Sequence, residues 1–525
     1  MAMAAFAQVI RVTLTILASP LEWVHRFFLR NTPENKEGFK MNDAFRVGFV
    51  NPWERRDPRT GLNFASFLVQ WHIYEPPYRL SPESRQIQPV LLDPLQKESD
   101  QHGLLYSAGV RPGRRFSNGT ELTAEHIAAS LEKTSAFKAH ASASAYGDRV
   151  LFRLKRPNAR FDLLLARFDH GIVLERGTDF LGTGPYMLAA DPRPEQFRLA
   201  RNPHFDPAPR LAEIECRIYP LDANGRRTKL MQAINSGEVD FTDELARDEL
   251  NRVEKMRKCI DLGYCTAVLF FNTERPIFHN SQVRLAFASA IDRKALAAHS
   301  YSNALAFAAT GMIPPVLGST PDLVMHDLAR ARDLLAKANV KPSAPLVLAV
   351  VPVPRPYLPD PRATAELLAS QLGQLGFKIE IKQPRSISEY QDYNSRGGYD
   401  LALAGWIPDT PDPLDFVESL LGSNSIPTSA NQTTRGSNFC RWRNPSLDEA
   451  LEKQRLQPEA ATWQKICDTI RQELPAFPLM YGPRIAVVSW RARNFPRDFG
   501  SGPFLAQVEL PASSATDSAQ LAAVR

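Results

Sequence analysis

The stretch of sequence that decides the fold is residues 346–381, which read LVLAVVPVPRPYLPDPRATAELLASQLGQLGFKIEI. It begins with an apolar run over 346–353, continues with a helical pattern over 363–375 that ends at Gly376, and closes with an alternating apolar pattern over 377–381. This order predicts a strand, a helix and a second strand. Because a helical crossover makes its two strands parallel, we expect an α/β fold with a partly parallel sheet.

The flanking sequence continues the same alternation of strands and helices. A first strand is predicted over 45–50, and Asp327 is a candidate N-cap for the helix that precedes the strand at 346. The next strand is predicted over 399–405, followed by a helix near Pro413 with Asp412 as its cap. Alternation along the whole chain is typical of α/β architecture.

Two polar segments follow the ends of predicted strands. The first strand of the crossover is followed by Pro354-Arg355-Pro356-Tyr357, and the strand over 399–405 is followed by Trp406-Ile407-Pro408-Asp409. Open parallel sheets bind ligands outside the carboxyl ends of their strands, so Arg355 and Asp409 are candidate ligand-binding residues. A surface ion pair for Arg355 and an Asx-turn for Asp409 are the structural alternatives.

Length and composition exclude several classes of protein. A chain of 525 residues with 44% apolar and 23% charged residues is globular and long enough for several domains. The 63 basic and 57 acidic residues leave a net charge of +6 and are scattered, so we expect no nucleic-acid partner. No apolar run reaches the length that a membrane span requires.

Motifs for catalysis and metal binding are absent from the sequence. The ten histidines are dispersed, without zinc-binding spacing, and the Ser130–Lys133 match to S-x-x-K lacks its companion motifs. The acids Asp409, Asp412 and Asp415 lie among prolines rather than in the glycine-containing loop that calcium prefers. We therefore expect a non-catalytic protein without a cofactor or metal.

The cysteines and the N-terminus leave alternatives open. Cys259 and Cys265 are close enough in sequence to be bridged across a tight turn, but two buried thiols fit equally well. The apolar stretch over 12–18 is short for an export signal, and the apolar residues between Leu17 and Phe28 recur at helical spacing. A weak signal peptide and a short amphipathic helix both fit.

The chain resembles the peptide/nickel/opine-type (family 5) extracellular solute-binding proteins of ABC importers. The resemblance covers most of residues 45–488, and short motifs in family order carry it. They are Ile73-Tyr74-Glu75, FSNGTELTAE (116–125), Gly182-Thr-Gly-Pro-Tyr186, RNPHF (201–205), SGEVD (236–240), Phe271-Asn-Thr273, Val283-Arg284 with Ala290-Ile-Asp-Arg293, and Gly405-Trp406 with Asp412-Pro413.

The resemblance implies a type II periplasmic-binding-protein fold with two lobes and three domains containing mixed sheets. The domains implied are an N-terminal extension over 1–40, domain I over 41–58, 180–268 and 487–512, domain II over 59–179, domain III over 269–486, and a disordered tail over 513–525. It also implies a monomeric binding protein that captures a short peptide or related zwitterion in the periplasm and delivers it to ABC permease subunits. A non-exported cytoplasmic sensor or enzyme on the same fold is the alternative.

Within the family, the strand-end segments are most similar to the dipeptide-binding and antimicrobial-peptide-uptake branch. That similarity implies that Arg355, Tyr357, Trp406 and Asp409 contact the ligand, with the arginine and the acid holding the two ends of a short peptide. The branch commonly has a disulfide after the Asp-Pro helix. Here residues 422–423 are Gly and Ser and Cys440 stands alone, so we expect no such disulfide.

Overall fold

The structure is a computed structural model that describes residues 44–511 except 51–56, 58, 60–63, 82–85, 100–103, 190–191, 194, 224–225, 246, 302–306, 319–323, 408–411, 429–435 and 497–503. The predicted N-terminal extension and C-terminal tail lie outside the described residues. The strands of the described part are β1 Phe45–Phe49, β2 Tyr78–Leu80, β3 Ile87–Pro89, β4 Gln96–Lys97, β5 Leu105–Gly109, β6 Ala141–Tyr146, β7 Arg149–Leu154, β8 Leu174–Arg176, β9 Asp179–Leu181, β10 Tyr186–Leu188, β11 Gln196–Arg201, β12 Glu213–Ile218, β13 Phe241–Thr242, β14 Arg257–Phe271, β15 Leu346–Val350, β16 Ile379–Lys382, β17 Leu401–Trp406 and β18 Ala476–Val488.

The helices alternate with these strands and begin at polar caps in several places. The side chains of Asp327, Asp360 and Asp412 each accept a hydrogen bond from a backbone amide in the first turn of the helix that follows. The helices are α1 Phe64–Ile73, α2 Ala124–Glu132, α3 Ser135–Lys138, α4 Phe161–Leu165, α5 Thr228–Asn235, α6 Arg247–Leu250, α7 Ser281–Ser289, α8 Arg293–Ser300, α9 Leu328–Lys337, α10 Pro361–Gly373, α11 Ile387–Ser395, α12 Pro413–Leu421, α13 Pro445–Leu456 and α14 Ala460–Glu473.

A ten-stranded mixed sheet has the order β10-β11-β12-β1-β13-β18-β14-β17-β15-β16. The β1 strand is parallel to β12 and β13, and β15 is parallel to β16 and β17. The long strands β14 and β18 are antiparallel to each other and lie between these two groups. Two parallel groups are therefore joined through one antiparallel pair.

The β14–β18 pair is interrupted between the two groups. Asp261 pairs with Arg484, and the next pair is Cys265 with Gly482, so residues 262–264 face a single residue of β18. The part of β18 that follows this irregularity pairs with β13 through Val487 and Val488. The part of β14 that follows it pairs with β17. Bulges of this kind bend strands and weaken the ladder locally.

Both faces of the sheet around β14 are covered by helices, because alternate residues of a strand point to opposite faces. Ala267 and Leu269 belong to an apolar cluster with Leu368 of α10. Val268 and Phe270 belong to another cluster, which includes Phe416 of α12. This part of the sheet is therefore a central layer between two helical layers.

A separate four-stranded antiparallel sheet has the order β4-β5-β7-β6. Ile127 and Leu131 of α2 belong to the same apolar cluster as Val150 and Phe152 of β7. The glycine-containing turn before β10 approaches α1 closely, since a Cβ atom on Gly182 would lie 2.0 Å from the carbonyl oxygen of Ile73. Such a contact is possible only for glycine.

The strand, helix and strand predicted for residues 346–381 are confirmed, with shifted ends. The first strand ends at Val350 rather than at 353, where Pro352 and Pro354 lack the amide that a ladder needs. The helix begins at Pro361, two residues before the predicted start, because Asp360 provides the cap and proline is favoured at the first helical position. Gly376 adopts φ 90° after the helix.

Candidate functional site

The segments that contain Arg355 and Trp406 lie at the same edge of the large sheet. β15 and β17 are parallel neighbours, with Ala349 opposite Ala402 and Val350 opposite Leu403. The carboxyl ends of adjacent parallel strands meet at one edge, where ligands bind in open α/β sheets. The strands that precede the two segments therefore share one sheet as direct neighbours.

Arg355 begins a tight turn. Its amide donates to the carbonyl oxygen of Leu358 at 3.0 Å, and the amide of Leu358 donates to the carbonyl oxygen of Arg355 at 2.8 Å. The hydroxyl of Tyr301 donates to the carbonyl oxygen of Pro356 at the tip of the turn. These bonds fix the backbone from which the guanidinium of Arg355 extends.

The side chain of Arg355 is half-buried, and no acidic residue of the described chain forms an ion pair with it. The nearest arginine along the chain, Arg362, pairs with Glu366 one helical turn away. A guanidinium is always charged and prefers planar, bidentate acceptors such as carboxylates. Among the described residues this guanidinium has no ion-pair partner, so the ion-pair alternative for Arg355 does not apply there, and the group can accept an anion.

Tyr357, two residues after Arg355, is buried beneath the turn with 6% of its surface exposed. A Cβ atom on Gly405 of β17 would lie 2.6 Å from Cδ2 of the tyrosine ring, so the ring occupies the space that the glycine leaves open. Burial raises the pKa of Tyr357 well above its ordinary value, and the phenol is therefore neutral.

Trp406 lies at the same edge on the other face of the sheet. Gly405 is opposite Ala267 in the ladder, whereas Trp406 is opposite Thr266, and successive residues of a strand face opposite sides. The indole packs on the cluster that contains Phe416 and donates from Nε1 to Oδ2 of Asp415 at 3.3 Å. Arg355 and Trp406 thus flank the edge from two sides.

The acid that completes the sequence-based site, Asp409, lies outside the described residues. Its neighbour Asp412 is described, and its Oδ1 accepts from the amide of Leu414 at 2.9 Å. The prediction that Asp412 caps the following helix is confirmed. Among the three acids of this segment, Asp412 and Asp415 are engaged in the local structure.

The other sequence features take structural roles. Ser130 accepts from the amide of Val173 at 3.0 Å, whereas Lys133 pairs with Glu175 at 2.8 Å, so the S-x-x-K match does not form a serine–lysine pair. No group of three or more potential metal ligands occurs in the described part of the chain. The same residues contain no helix that is both long enough and apolar enough to cross a bilayer.

None of the five cysteines, all of which the structure describes, forms a disulfide. The alternative of a Cys259–Cys265 bridge is therefore wrong, and burial raises the pKa of Cys265 to about 12. Cys440 is buried, its thiol donates to Oδ1 of Asn438, and it forms no disulfide.

Residues that support the site were not found by sequence reasoning. Gly482 of β18 lies under the Arg355 turn, since a Cβ atom there would be 2.6 Å from Cα of Tyr357 and 2.7 Å from the carbonyl oxygen of Pro356. Tyr301 holds the turn by its hydroxyl. Neither residue belongs to a motif, and both are more than 50 residues from the turn, so no local pattern indicates them.

The fold and the site together define a ligand-binding protein of the two-lobe type II class. Residues 86–428 match the sequence model described as bacterial extracellular solute-binding proteins, family 5 Middle. The chain belongs to the family 5 extracellular solute-binding proteins, which are non-enzymatic components of transport systems. The family and the fold inferred from the sequence motifs are confirmed.

Several curated relatives have names that refer to peptides. Di/tripeptide-binding protein 1 of Pseudomonas aeruginosa is 24% identical over 339 residues, which is 62% of this chain and 59% of that protein. The peptide transport periplasmic protein SapA of Haemophilus influenzae is 27% identical over 338 residues, 62% of this chain and 57% of that protein. The matched region spans less than two thirds of the length of these relatives.

Solved structures share the fold. HbpA2 from Haemophilus parasuis aligns with a TM-score of 0.78 and 20% identity, covering 89% of this chain and 100% of that one. The dipeptide-binding protein from Pseudoalteromonas sp. SM9913 in complex with Met-Leu aligns with a TM-score of 0.68 and 20% identity over the same shares. The α/β fold class predicted from the sequence is thereby confirmed.

Proposed function

We propose that this protein captures a short peptide or related zwitterion between two lobes and delivers it to an ABC permease. The observation that carries the proposal is the guanidinium of Arg355, which follows the carboxyl end of β15 and has no ion-pair partner in the described part of the chain. Peptides have a carboxylate at one end, and that group matches the guanidinium in charge and shape. The peptide-related names of family members support this ligand class.

The two ends of the ligand are assigned to two residues. Arg355 binds the α-carboxylate, and Asp409, which follows β17, binds the α-ammonium group. Asp412 and Asp415 are engaged with a helix start and with Trp406, which leaves Asp409 as the acid of this segment for a ligand. Tyr357 and Trp406 shape this edge of the sheet, the first from beneath the turn and the second from the other face.

The lobes follow the domain boundaries inferred from the sequence. Domain I comprises 41–58, 180–268 and 487–512, domain II comprises 59–179, and domain III comprises 269–486. The apolar cluster that contains Phe116 and Phe152 lies within the domain II range, and the cluster that contains Leu348 and Leu368 falls mostly within domain III. The break in the β14–β18 pair lies near the junction of domains I and III, which supports rotation of the lobes there.

The protein acts in the periplasm as a monomer, with membrane permease subunits as partners and without nucleic acid. Periplasmic action is typical of the family, and relatives such as SapA are named as periplasmic. A cytoplasmic sensor on the same fold is the alternative. Fractionation of cells that express the full chain separates the two, since recovery in the periplasmic fraction supports transport and recovery in the cytoplasm supports the sensor.

Calorimetric titration with Met-Leu and trialanine, each as free acid and as C-terminal amide, tests the ligand assignment. Charged hydrogen bonds contribute roughly 1.5–3 kcal/mol, so amidation should weaken binding by about tenfold to a hundredfold. Arg355→Lys should remove most of this difference, because an ammonium group lacks the planar pair of donors.

Arg362→Lys is the matched control. Arg362 lies seven residues further along the chain and pairs with Glu366 on the exposed face of α10, so its replacement should leave both affinities unchanged. Equal affinity of the wild type for the acid and the amide would refute the assignment of Arg355. Absence of binding to any peptide by the wild type would refute the proposed function.

A further inference from the structure

The Arg355 turn packs directly on two glycines of the large sheet. Gly405 on β17 and Gly482 on β18 lie opposite Ala267 and Cys265 of β14, respectively, so both glycines face the side of the sheet on which the turn packs. A Cβ atom on Gly482 would lie 2.6 Å from Cα of Tyr357, and one on Gly405 would lie 2.6 Å from the tyrosine ring. Neither glycine adopts a positive φ, so close approach rather than backbone conformation requires them.

This glycine seat, defined by Gly405 and Gly482, adjoins the break in the β14–β18 pair. Gly482 and Cys265 form the first residue pair after the break, in the part of β14 that also pairs with β17. The thiol of Cys265 donates to the carbonyl oxygen of Gly482 at 3.4 Å and would be 2.7 Å from a Cβ atom on that glycine. The turn therefore contacts the strand directly at the edge of the irregular segment.

A second contact fixes the turn through its backbone. The buried hydroxyl of Tyr301, which follows α8, donates to the carbonyl oxygen of Pro356. The carbonyl oxygen of Pro356 thus contacts both Tyr301 and Gly482 of the glycine seat, and Arg355 begins the same turn. A shift of Tyr357 by the size of a methyl group must move the backbone of Arg355, because the turn is closed by hydrogen bonds on both sides.

We infer that Tyr357 is a positioning residue, which rests on the glycine seat and fixes the backbone from which the Arg355 guanidinium extends relative to the β14–β18 break, so that carboxylate binding is coupled to lobe rotation at that break. The inference rests on the proposed function. Because the backbone of the turn is preorganised, the energy of ligand binding is available for closure instead of being spent on ordering the turn. Filling the seat should therefore impair recognition of a carboxylate more than recognition of the rest of a peptide.

Gly482→Ala tests the inference, with Met-Leu and Met-Leu amide as probes. The variant should bind the free acid about tenfold more weakly than the wild type and should bind the amide with unchanged affinity. Small-angle scattering at saturating Met-Leu should show less compaction than for the wild type. Gly373→Ala is the control, since nothing lies within 4 Å of a Cβ atom there, and it should leave both affinities and the compaction unchanged.

Tyr301→Phe keeps the test decisive if Gly482→Ala fails to fold. It removes one hydrogen bond from the turn and adds no methyl group to the glycine seat. It should lower free-acid affinity severalfold and spare the amide. An equal loss of acid and amide affinity would overturn the inference, because it indicates a general structural role. Unchanged affinities in the variant that folds would also overturn it. If the wild type itself does not distinguish acid from amide, the proposed role of Arg355 fails first and the inference falls with it.

Discussion

The ring of Tyr357 lies over Gly405, where a Cβ atom would be 2.6 Å from Cδ2 and 2.7 Å from Cε2. The same Cβ atom would also lie 2.2 Å from the backbone oxygen of Thr266, which cannot move without disturbing the central strand. A Cβ atom at position 405 would therefore clash both with the Tyr357 ring and with the backbone of Thr266, so replacement by alanine is a direct test of this packing.

Gly405→Ala should lower the free energy of unfolding by at least about 1–3 kcal/mol, the usual cost of overpacking a core. Urea denaturation followed by circular dichroism measures the change. Gly398→Ala is the control, because a Cβ atom there would be 3.6 Å or more from the ring of Tyr393, which is ordinary contact. A Gly405→Ala variant as stable as the wild type would show that the turn does not lie as described.

Substitution of Asp409 should change ligand affinity, whereas substitution of Asp412 should change stability. Asp409→Ala should weaken Met-Leu binding by roughly a hundredfold or more, since removal of one partner from a buried ion pair costs about 3–5 kcal/mol. Asp412→Ala removes a helix cap and should cost about 0.5–2 kcal/mol of stability while affinity stays the same. Calorimetry and urea denaturation of both variants check this, and unchanged affinity in Asp409→Ala would exclude its role.

Closure of the lobes should accompany peptide binding. A short peptide has to be enclosed to replace its lost hydration, and the proposed rotation takes place at the break in the β14–β18 pair. Small-angle scattering at saturating Met-Leu should give a smaller radius of gyration than the free protein. Met-Leu amide at the same concentration is the control and should compact the protein less. Identical profiles at saturation would argue against closure.

Asp240 should account for part of the loss of stability in acid. Burial alone would raise the pKa of Asp240, but hydrogen bonds from Arg491 and Arg46 outweigh burial and lower it below the ordinary 3.8. Because the folded-state pKa is lower than that of the unfolded chain, the stabilisation is complete above pH 3.8 and is lost as the pH falls through the folded-state value.

Asp240→Asn should accordingly be less stable than the wild type at neutral pH by about 3–5 kcal/mol, because two arginines lose their charged partner. The difference should shrink as the pH falls below 3.8. Urea denaturation between pH 3 and pH 7 tests both statements. A stability difference that does not change with pH would contradict the assigned titration.

The sequence by itself determined the elements whose signals are local. Apolar periodicity over 346–381 indicated the strand, helix and strand, and Asp327 and Asp412 marked helix starts because a cap bonds to amides only two or three residues away. Helical crossover geometry then made β15 and β16 parallel. The position of Arg355 at a strand end followed from the same local reasoning, together with the rule for ligand sites in open sheets.

Only the tertiary structure decided what depends on residues far apart in the chain. In the glycine seat, Gly405 and Gly482 contact a turn near residue 357, which is distant from them in the chain. No local pattern distinguishes a glycine that packs against an aromatic ring from one that ends a helix. The free thiols of Cys259 and Cys265 depend on how β14 pairs with β18. Local patterns arise from hydrogen bonds and side-chain periodicity within a few residues, whereas close packing and strand order are set by which distant surfaces fit together.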